Sequence, residues 1–332
     1  MSAFLSPSFS PLLAFAAAWL AIAIMLRSGL AKIAMDAPNR RSLHAAPIPR
    51  SGGVAIMGGI LAGWSLSLPP GLWLPMGLAT ALAAVSLLDD IFGLSPGWRL
   101  LAHLAAATAL AMAGLEHFPP WLSVLAVFAI VWMTNLYNFM DGSDGLAGGM
   151  ALFGFAAYGL AAWRLDDPAF ALMAWSIAAA AAGFLLFNFH PARIFMGDAG
   201  SVPLGFLAAA FGLLGWQRGL WPWWFAPLVF SPFVADASVT LAKRLLRHEK
   251  IWRAHREHYY QRLVRMGLGH RRAALLEYLL MAAAGGSALW GTGWEATSQA
   301  ALLLFWIAVY VVAMRWVDIE WAKFRQAADR DA

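Results

Sequence analysis

Eleven apolar runs, each of a length to cross a bilayer, dominate this chain, and few charges interrupt them. They lie at about 9–30, 52–68, 72–88, 98–115, 119–137, 146–164, 168–187, 202–217, 221–246, 273–290 and 299–317. A helix needs about 20 apolar residues to cross the hydrocarbon core. Of the 332 residues, 61% are hydrophobic and 12% charged, where a soluble domain carries about 25% charged residues. Such a chain is neither disordered, fibrous nor a coiled coil, and a soluble fold of this length could not hide so much apolar surface. The expected fold is all-α: one polytopic integral membrane domain over residues 1–332, with about eleven transmembrane helices. The chain has no cysteine, which excludes thiolate catalysis, Cys-bound zinc and disulfides.

Charge orients the spans. Eleven crossings place the stretches 31–51, 89–97, 138–145, 188–201 and 247–272, with the C-terminus, on one side. That side holds 21 of the 23 Lys and Arg, and only Arg164 and Arg218 fall on the other. By the positive-inside rule it is the cytoplasmic side, so the N-terminus is expected outside and the C-terminus inside. The net charge of +5 therefore reads as topology and as contact with the lipid bilayer, not as nucleic-acid binding. No Lys or Arg precedes Arg27, so the first run reads as an N-out anchor rather than a cleaved signal peptide. The tail after Trp316 reads as a solvated, mixed-charge end.

Six aspartates fall at or near cytoplasmic span ends, from four separate segments: Asp89, Asp90, Asp141, Asp144, Asp198 and Asp236. Adjacent carboxylates such as Asp89 and Asp90 at a helix C-terminus oppose the helix dipole and need a compensating cation. In N-L-Y-N-F-M-D-G-S-D-G (135–145), Asn135, Asn138 and Asp141 recur every three residues and share a helical face. Polar groups on one edge of an apolar helix are costly unless they bind something. Asp198 lies in a Gly-rich turn just before a span, and Asn188 and His190 precede it on the same side. His190 reads equally as a ligand or a core histidine, and Asp236, inside the ninth run beside Pro232, equally as a functional or a satisfied acid. His255 and His258, among Arg253, Arg256 and Arg262, read as a polyanion clamp or as a lipid-binding amphipathic surface. Arg40, Arg41, His44 and Arg50, ahead of Ser51-Gly52-Gly53, read as a phosphate grip or as further topological charge. Six convergent carboxylates repel strongly in a low dielectric and need divalent metal, basic partners or shared protons. Mg²⁺ typically takes one or two carboxylates and leaves positions for water and phosphate. Together these residues predict a Mg²⁺-dependent reaction on a phosphate compound at the cytoplasmic face.

Five segments occur in a recognisable order: P-N-R-R-S-L-H with P-R-S-G-G (38–53), D-D-I-F-G-L-S (89–95), N-F-M-D-G-S-D-G-L-A-G (138–148), N-F-H-P-A-R-I-F-M-G-D-A-G-S (188–201) and H-R-E-H-Y-Y-Q-R-L (255–263). In these the chain resembles the polyprenyl-phosphate N-acetylhexosamine-1-phosphate transferases, the MraY/WecA-like family of bacterial inner-membrane enzymes. The resemblance implies transfer of a sugar 1-phosphate from a UDP-sugar donor, a UDP-N-acetylhexosamine, to an undecaprenyl phosphate acceptor, with release of UMP. It implies Mg²⁺ on Asp198, with Mn²⁺ as a substitute. Asp89 and Asp90 would bind or deprotonate the lipid phosphate. Asn138, Asp141 and Asp144 would line the nucleotide and sugar-phosphate site, and Asn188 would meet the nucleoside. His255 and His258 would lie near the diphosphate, with His44, Arg50 and Arg262 as further substrate contacts. Family members often dimerise, so a homodimer is compatible with the resemblance. The run of three histidines and the lysine-rich first loop of the peptidoglycan branch are missing. The pattern is closer to the branch that starts O-antigen or exopolysaccharide units than to the phospho-MurNAc-pentapeptide transferases. A transporter would place its polar groups near the bilayer midplane in related halves, and a lipid-binding scaffold would not need Asp198.

Overall fold

The computed structural model describes residues 6–36, 43, 46–66, 69–250 and 255–330. Among them the protein is all-α apart from one two-residue antiparallel pair, β1 (Met35–Asp36) with β2 (Ile48–Pro49). The helices are α1 (Ser10–Ser28), α2 (Gly52–Trp64), α3 (Trp73–Phe92), α4 (Pro96–Gly114), α5 (Pro120–Phe139), α6 (Leu146–Arg164), α7 (Pro168–Asn188), α8 (Asp198–Gln217), α9 (Phe225–Val229), α10 (Ser231–Leu246), α11 (Tyr259–Leu263), α12 (Gly269–Gly291) and α13 (Ala296–Arg330). Their ends follow local chemistry. Proline, with no N–H to lose, stands in the first turn of α4, α5 and α7. Glycine in the left-handed conformation closes α1 at Gly29 and α3 at Gly93.

A helix stands at each of the eleven expected positions, and the details differ in three places. The second run gives only the 13 residues of α2. The ninth divides at Phe230, whose backbone leaves the helical region just before Pro232 opens the first turn of α10; proline cannot supply the N–H that a continuous ladder needs. The last run does not stop near Val317 but continues as helix to Arg330. Among the described residues, eight helices are long and apolar enough to cross a membrane, with α2 a shorter apolar helix. The chain is a polytopic membrane protein.

Helices α6, α7 and α8 form the centre. Of the most apolar stretch of α8, 78% is buried, against 17% for α13, so the outer helices turn most of their apolar surface outwards, where lipid covers it. Exposed tryptophans stand near helix ends or in turns at both rims, Trp73, Trp121, Trp163, Trp223 and Trp290 opposite the aspartates and Trp98 on their side. Tryptophan favours that boundary because its ring is apolar and its N–H polar.

Candidate active site

Four carboxylates from three segments converge where α3, α5 and α8 end. Asp89 and Asp90 close α3, Asp141 follows α5, and Asp198 opens α8. The unfavourable pair on α3 is resolved by two different partners. Asp89 accepts the N–H of Leu94 at 2.7 Å, capping its own helix, and Arg99 NH1 lies 3.0 Å from its other oxygen. Asp90 turns to the start of α8, where it accepts the N–H of Ala199 at 3.2 Å, so that helix's positive end offsets its charge. Arg50 reaches the same residue, with NH2 2.6 Å from the Asp90 carbonyl and NH1 3.4 Å from its carboxylate. Arg99 also bridges to Asp198 at 3.5 Å. Ser95-Pro96 starts α4 immediately after α3, which brings Arg99, one turn in, back over the acids.

The Asn138 side chain lies beside the Asp198 carboxylate. Burial pushes the Asp141 carboxyl well above the usual carboxylate range, and the nearby charges of Asp198, Asp90 and Asp36 push the same way; the Gly197 backbone N–H opposes them. The Asp90 side chain is nearly closed to solvent, whereas 24% of the Asp198 side chain is accessible. A buried Arg50 Nε has no partner among the described residues.

Backbone pairing fixes the start of α2 against the start of α8. Phe195 N–H donates to Pro49 O at 2.7 Å, Gly52 N–H to Phe195 O at 2.9 Å and Gly53 N–H to Met196 O at 2.7 Å. A Cβ on Gly53 would stand 2.2 Å from Gly200 N, and one on Gly197, whose φ is 70°, would stand 2.2 Å from Arg50 O. The glycines of both motifs thus permit contact of backbone on backbone. The phosphate-grip reading of the first loop is left with Arg50, because Arg40, Arg41 and His44 lie outside the described residues.

Asp144 and Asn188 bind loops together. Asn188 accepts Gly145 N–H and donates to Ile194 O, both at 2.9 Å, so both ends of its amide are engaged by backbone. Asp144 holds His190 Nδ1 at 2.6 Å and Ala192 N–H at 3.1 Å. The His190 ring stacks on His270 at 5.5 Å, and His270 Nδ1 is 2.8 Å from Ser143 Oγ. Sequence reasoning missed His270. It opens α12 and meets the other loops only through tertiary packing, so no motif points to it.

The histidine segment forms a second cluster. Asp236 on α10 accepts the N–H groups of Tyr259 at 2.9 Å and Tyr260 at 3.0 Å, lies 3.1 Å from His258 Nδ1, and takes a bond from Thr240 Oγ1. Of the two readings of this residue, the satisfied buried acid is the one observed. Burial pushes His255 down to about 4, helped by His258 and Arg244, so its ring is neutral near pH 7. Glu257 accepts from Arg247 and Arg244; burial works against its charge, but the two arginines hold it below its ordinary value. Arg262 NH1 contacts Asp318 at 2.9 Å and its Nε donates to Glu257 O at 2.8 Å. Arg262 is thereby engaged within the protein rather than free.

Among the described residues no three His, Asp or Glu form a ready-made metal cage. The donor set still suits a hard cation: carboxylate oxygens that outnumber the two arginines among the described residues, with an accessible Asp198, fit Mg²⁺ held by one or two carboxylates and completed by substrate. Such a site, rimmed by arginine and opening beside apolar helices, is suited to a phosphate compound attached to lipid.

Comparison with known proteins agrees. The glycosyl transferase family 4 model matches residues 72–215, which include Asp89, Asp90, Asn138, Asp141, Asp144, Asn188 and Asp198. The chain is 31% identical over 268 residues to a probable undecaprenyl-phosphate N-acetylglucosaminyl 1-phosphate transferase of Bacillus subtilis, covering 74% of each chain. It is 30% identical over 312 residues to a decaprenyl-phosphate N-acetylglucosaminephosphotransferase of Mycolicibacterium smegmatis, covering 80% of this chain and 76% of that one. A phospho-N-acetylmuramoyl-pentapeptide-transferase of Levilactobacillus brevis is 36% identical, but over 130 residues, 40% of its length. The chain therefore belongs to glycosyl transferase family 4, the MraY/WecA-like polyprenyl-phosphate sugar-1-phosphate transferases.

Proposed function

We propose that this protein transfers an N-acetylhexosamine 1-phosphate from a UDP-sugar to undecaprenyl phosphate, releasing UMP and forming the first lipid-linked diphospho-sugar of a cell-surface polysaccharide. The observation that carries this reading is the meeting of Asp89, Asp90, Asp141 and Asp198 at one end of the bundle, where Arg50 and Arg99 are their cationic partners among the described residues. The long alignment to N-acetylglucosaminyl relatives favours that donor class over the pentapeptide class. The same end carries most of the basic residues, which supports a cytoplasmic active site in a bacterial inner membrane.

Phosphoryl transfer depends chiefly on in-line positioning and on neutralising the phosphate oxygens. Asp198, accessible and beside Asn138, would hold Mg²⁺. When bound, that ion supplies Lewis-acid stabilisation of the diphosphate and of the leaving UMP. Arg99 then exchanges its carboxylate partners for phosphate oxygens. Arg50, fixed on Asp90 and with a third of its side chain accessible, offers positive charge to the same groups. Asp89 or Asp90 binds the lipid phosphate and takes its proton. Asn188 and Asp144 hold the loops that receive the nucleotide.

The test is UMP release by detergent-purified protein given undecaprenyl phosphate, Mg²⁺ and a panel of UDP-N-acetylhexosamines. Release that requires lipid and stops with EDTA is expected. Folded protein that neither binds nor cleaves any of these nucleotides would overturn the reading.

A further inference from the structure

The last helix of the chain is longer than a membrane crossing requires, and its extension reaches the histidine segment. Asp318, just past the apolar stretch of α13, meets two cations from two other elements. Lys243 Nζ of α10 bonds its Oδ2, and Arg262 NH1 of α11 lies 2.9 Å from its Oδ1. Tyr259 Oη, itself 2.6 Å from Lys243 Nζ, is 3.4 Å from the same carboxylate. The Tyr259 ring takes Arg262 at 5.0 Å and Lys243 at 5.2 Å from its centroid. One turn on, Trp321 receives Arg265 at 4.7 Å.

Without Asp318, Lys243 and Arg262 would face each other around one ring with no counter-charge between them. Charged hydrogen bonds of this kind contribute more than neutral ones, and a half-broken set is costly. Because α11 starts directly after His258 and contains both Tyr259 and Arg262, loosening those two residues loosens the segment that carries the histidines, leaving Asp236 as the remaining hold on the His258 ring. Asp236 grips the first backbone N–H groups of α11, and Asp318 grips its side chains.

We propose that Asp318 is a positioning residue, which acts through Tyr259 and Arg262 to hold His255 and His258 where the donor's diphosphate binds. The placing of the diphosphate rests on the transferase reading above; the hold on the segment does not. The C-terminal helix is then part of the catalytic apparatus, although it carries none of the family's motifs.

Hydrogen exchange on the full-length protein tests the hold directly. In Asp318→Asn the amides of 259–265 should exchange roughly tenfold faster, as expected for loss of a charged hydrogen-bond set. Asp318→Glu should restore much of the protection, and Asp329→Asn, further along the same helix, should change nothing. Trp321→Ala, which leaves the ion pairs in place, should give a smaller change of the same sign. In the kinetic arm, Asp318→Asn should lower kcat/KM for the donor about tenfold with little change in the acceptor KM. Wild-type exchange rates in folded Asp318→Asn would overturn the proposal, as would faster exchange with unchanged donor kinetics. If the wild type transfers nothing, the transferase reading fails, while the exchange arm still decides whether Asp318 holds the segment.

Discussion

Two acid-rich clusters lie at the same end of the bundle, and they are built on opposite terms. At the ends of α3, α5 and α8, four carboxylates share Arg50 and Arg99. Around α10, α11 and α13, Asp236, Glu249, Glu257 and Asp318 meet Lys243, Arg244, Arg247, Arg262, the His258 ring and two backbone N–H groups. Among the described residues the second set is matched and the first is not, with Arg40, Arg41 and His44 of the adjoining first loop outside them. A matched cluster holds a structure together; a cluster left with surplus charge is unstable by itself and gains stability from whatever cation it receives. On the proposed reading, the imbalance, more than the presence of acid, separates the cluster that would carry the chemistry from the one that supports it.

The sharpest way to break this comparison is to remove one acid from each cluster and compare activity with stability. In the surplus cluster, Asp198→Ala should lower transfer by about 10³-fold, the upper range for loss of one electrostatic stabiliser. Its thermal unfolding without metal should be unchanged or slightly raised, because like charges are thinned. Asp141→Asn should likewise leave thermal unfolding unchanged, since burial and three neighbouring carboxylates already disfavour its charge and the amide mimics the neutral acid. A large drop in melting temperature for either would mean that the cluster is structural. Matching these profiles with and without Mg²⁺ sharpens the result: the metal should raise the melting point of wild type and not that of Asp198→Ala.

In the matched cluster the order reverses. Asp236→Ala strips partners from His258 Nδ1 and from the buried N–H groups of Tyr259 and Tyr260. Leaving such donors unsatisfied costs about 1–3 kcal/mol each. Local unfolding of 258–263, read by hydrogen exchange, should therefore be easier by at least 2 kcal/mol. Wild-type exchange there would show that the carboxylate is incidental.

The contrast between clusters was only partly visible in the sequence. Apolar runs placed the long helices, because bilayer thickness imposes span length, but not the short α11 or the division of the ninth run into α9 and α10. The D-D, D-G-S-D-G and G-D-A-G-S elements pointed to the surplus cluster, since acids beside apolar runs are rare enough to be informative. The matched cluster was hidden. Nothing local says that Asp236 will meet Tyr259, or that Asp318, in a stretch resembling a solvated tail, will meet Arg262. Arg99 was legible only as topological charge, because its role depends on how α4 turns back from α3. The division at Phe230 follows from Pro232, which opens α10, whereas nothing in the apolar run 52–68 marks the end of α2 at Trp64.

The smallest expected effect tests the matched cluster from its titration. Burial, with His258 and Arg244, holds the His255 ring at about 4, whereas a solvated histidine titrates near 6.5. Between those values the opened segment binds a proton that the closed segment refuses. Closure is therefore favoured above about pH 6.5 and loses that advantage as the pH falls towards 4. Glu257, held low by Arg247 and Arg244, keeps its charge through most of that window. Exchange of 255–265, corrected for intrinsic rates, should accelerate on acidification from pH 7 to 5 in wild type. His255→Gln keeps a polar side chain that cannot gain charge, so its acceleration should be visibly shallower. Equal slopes in the two proteins would show that the His255 ring is not the source of the acid sensitivity.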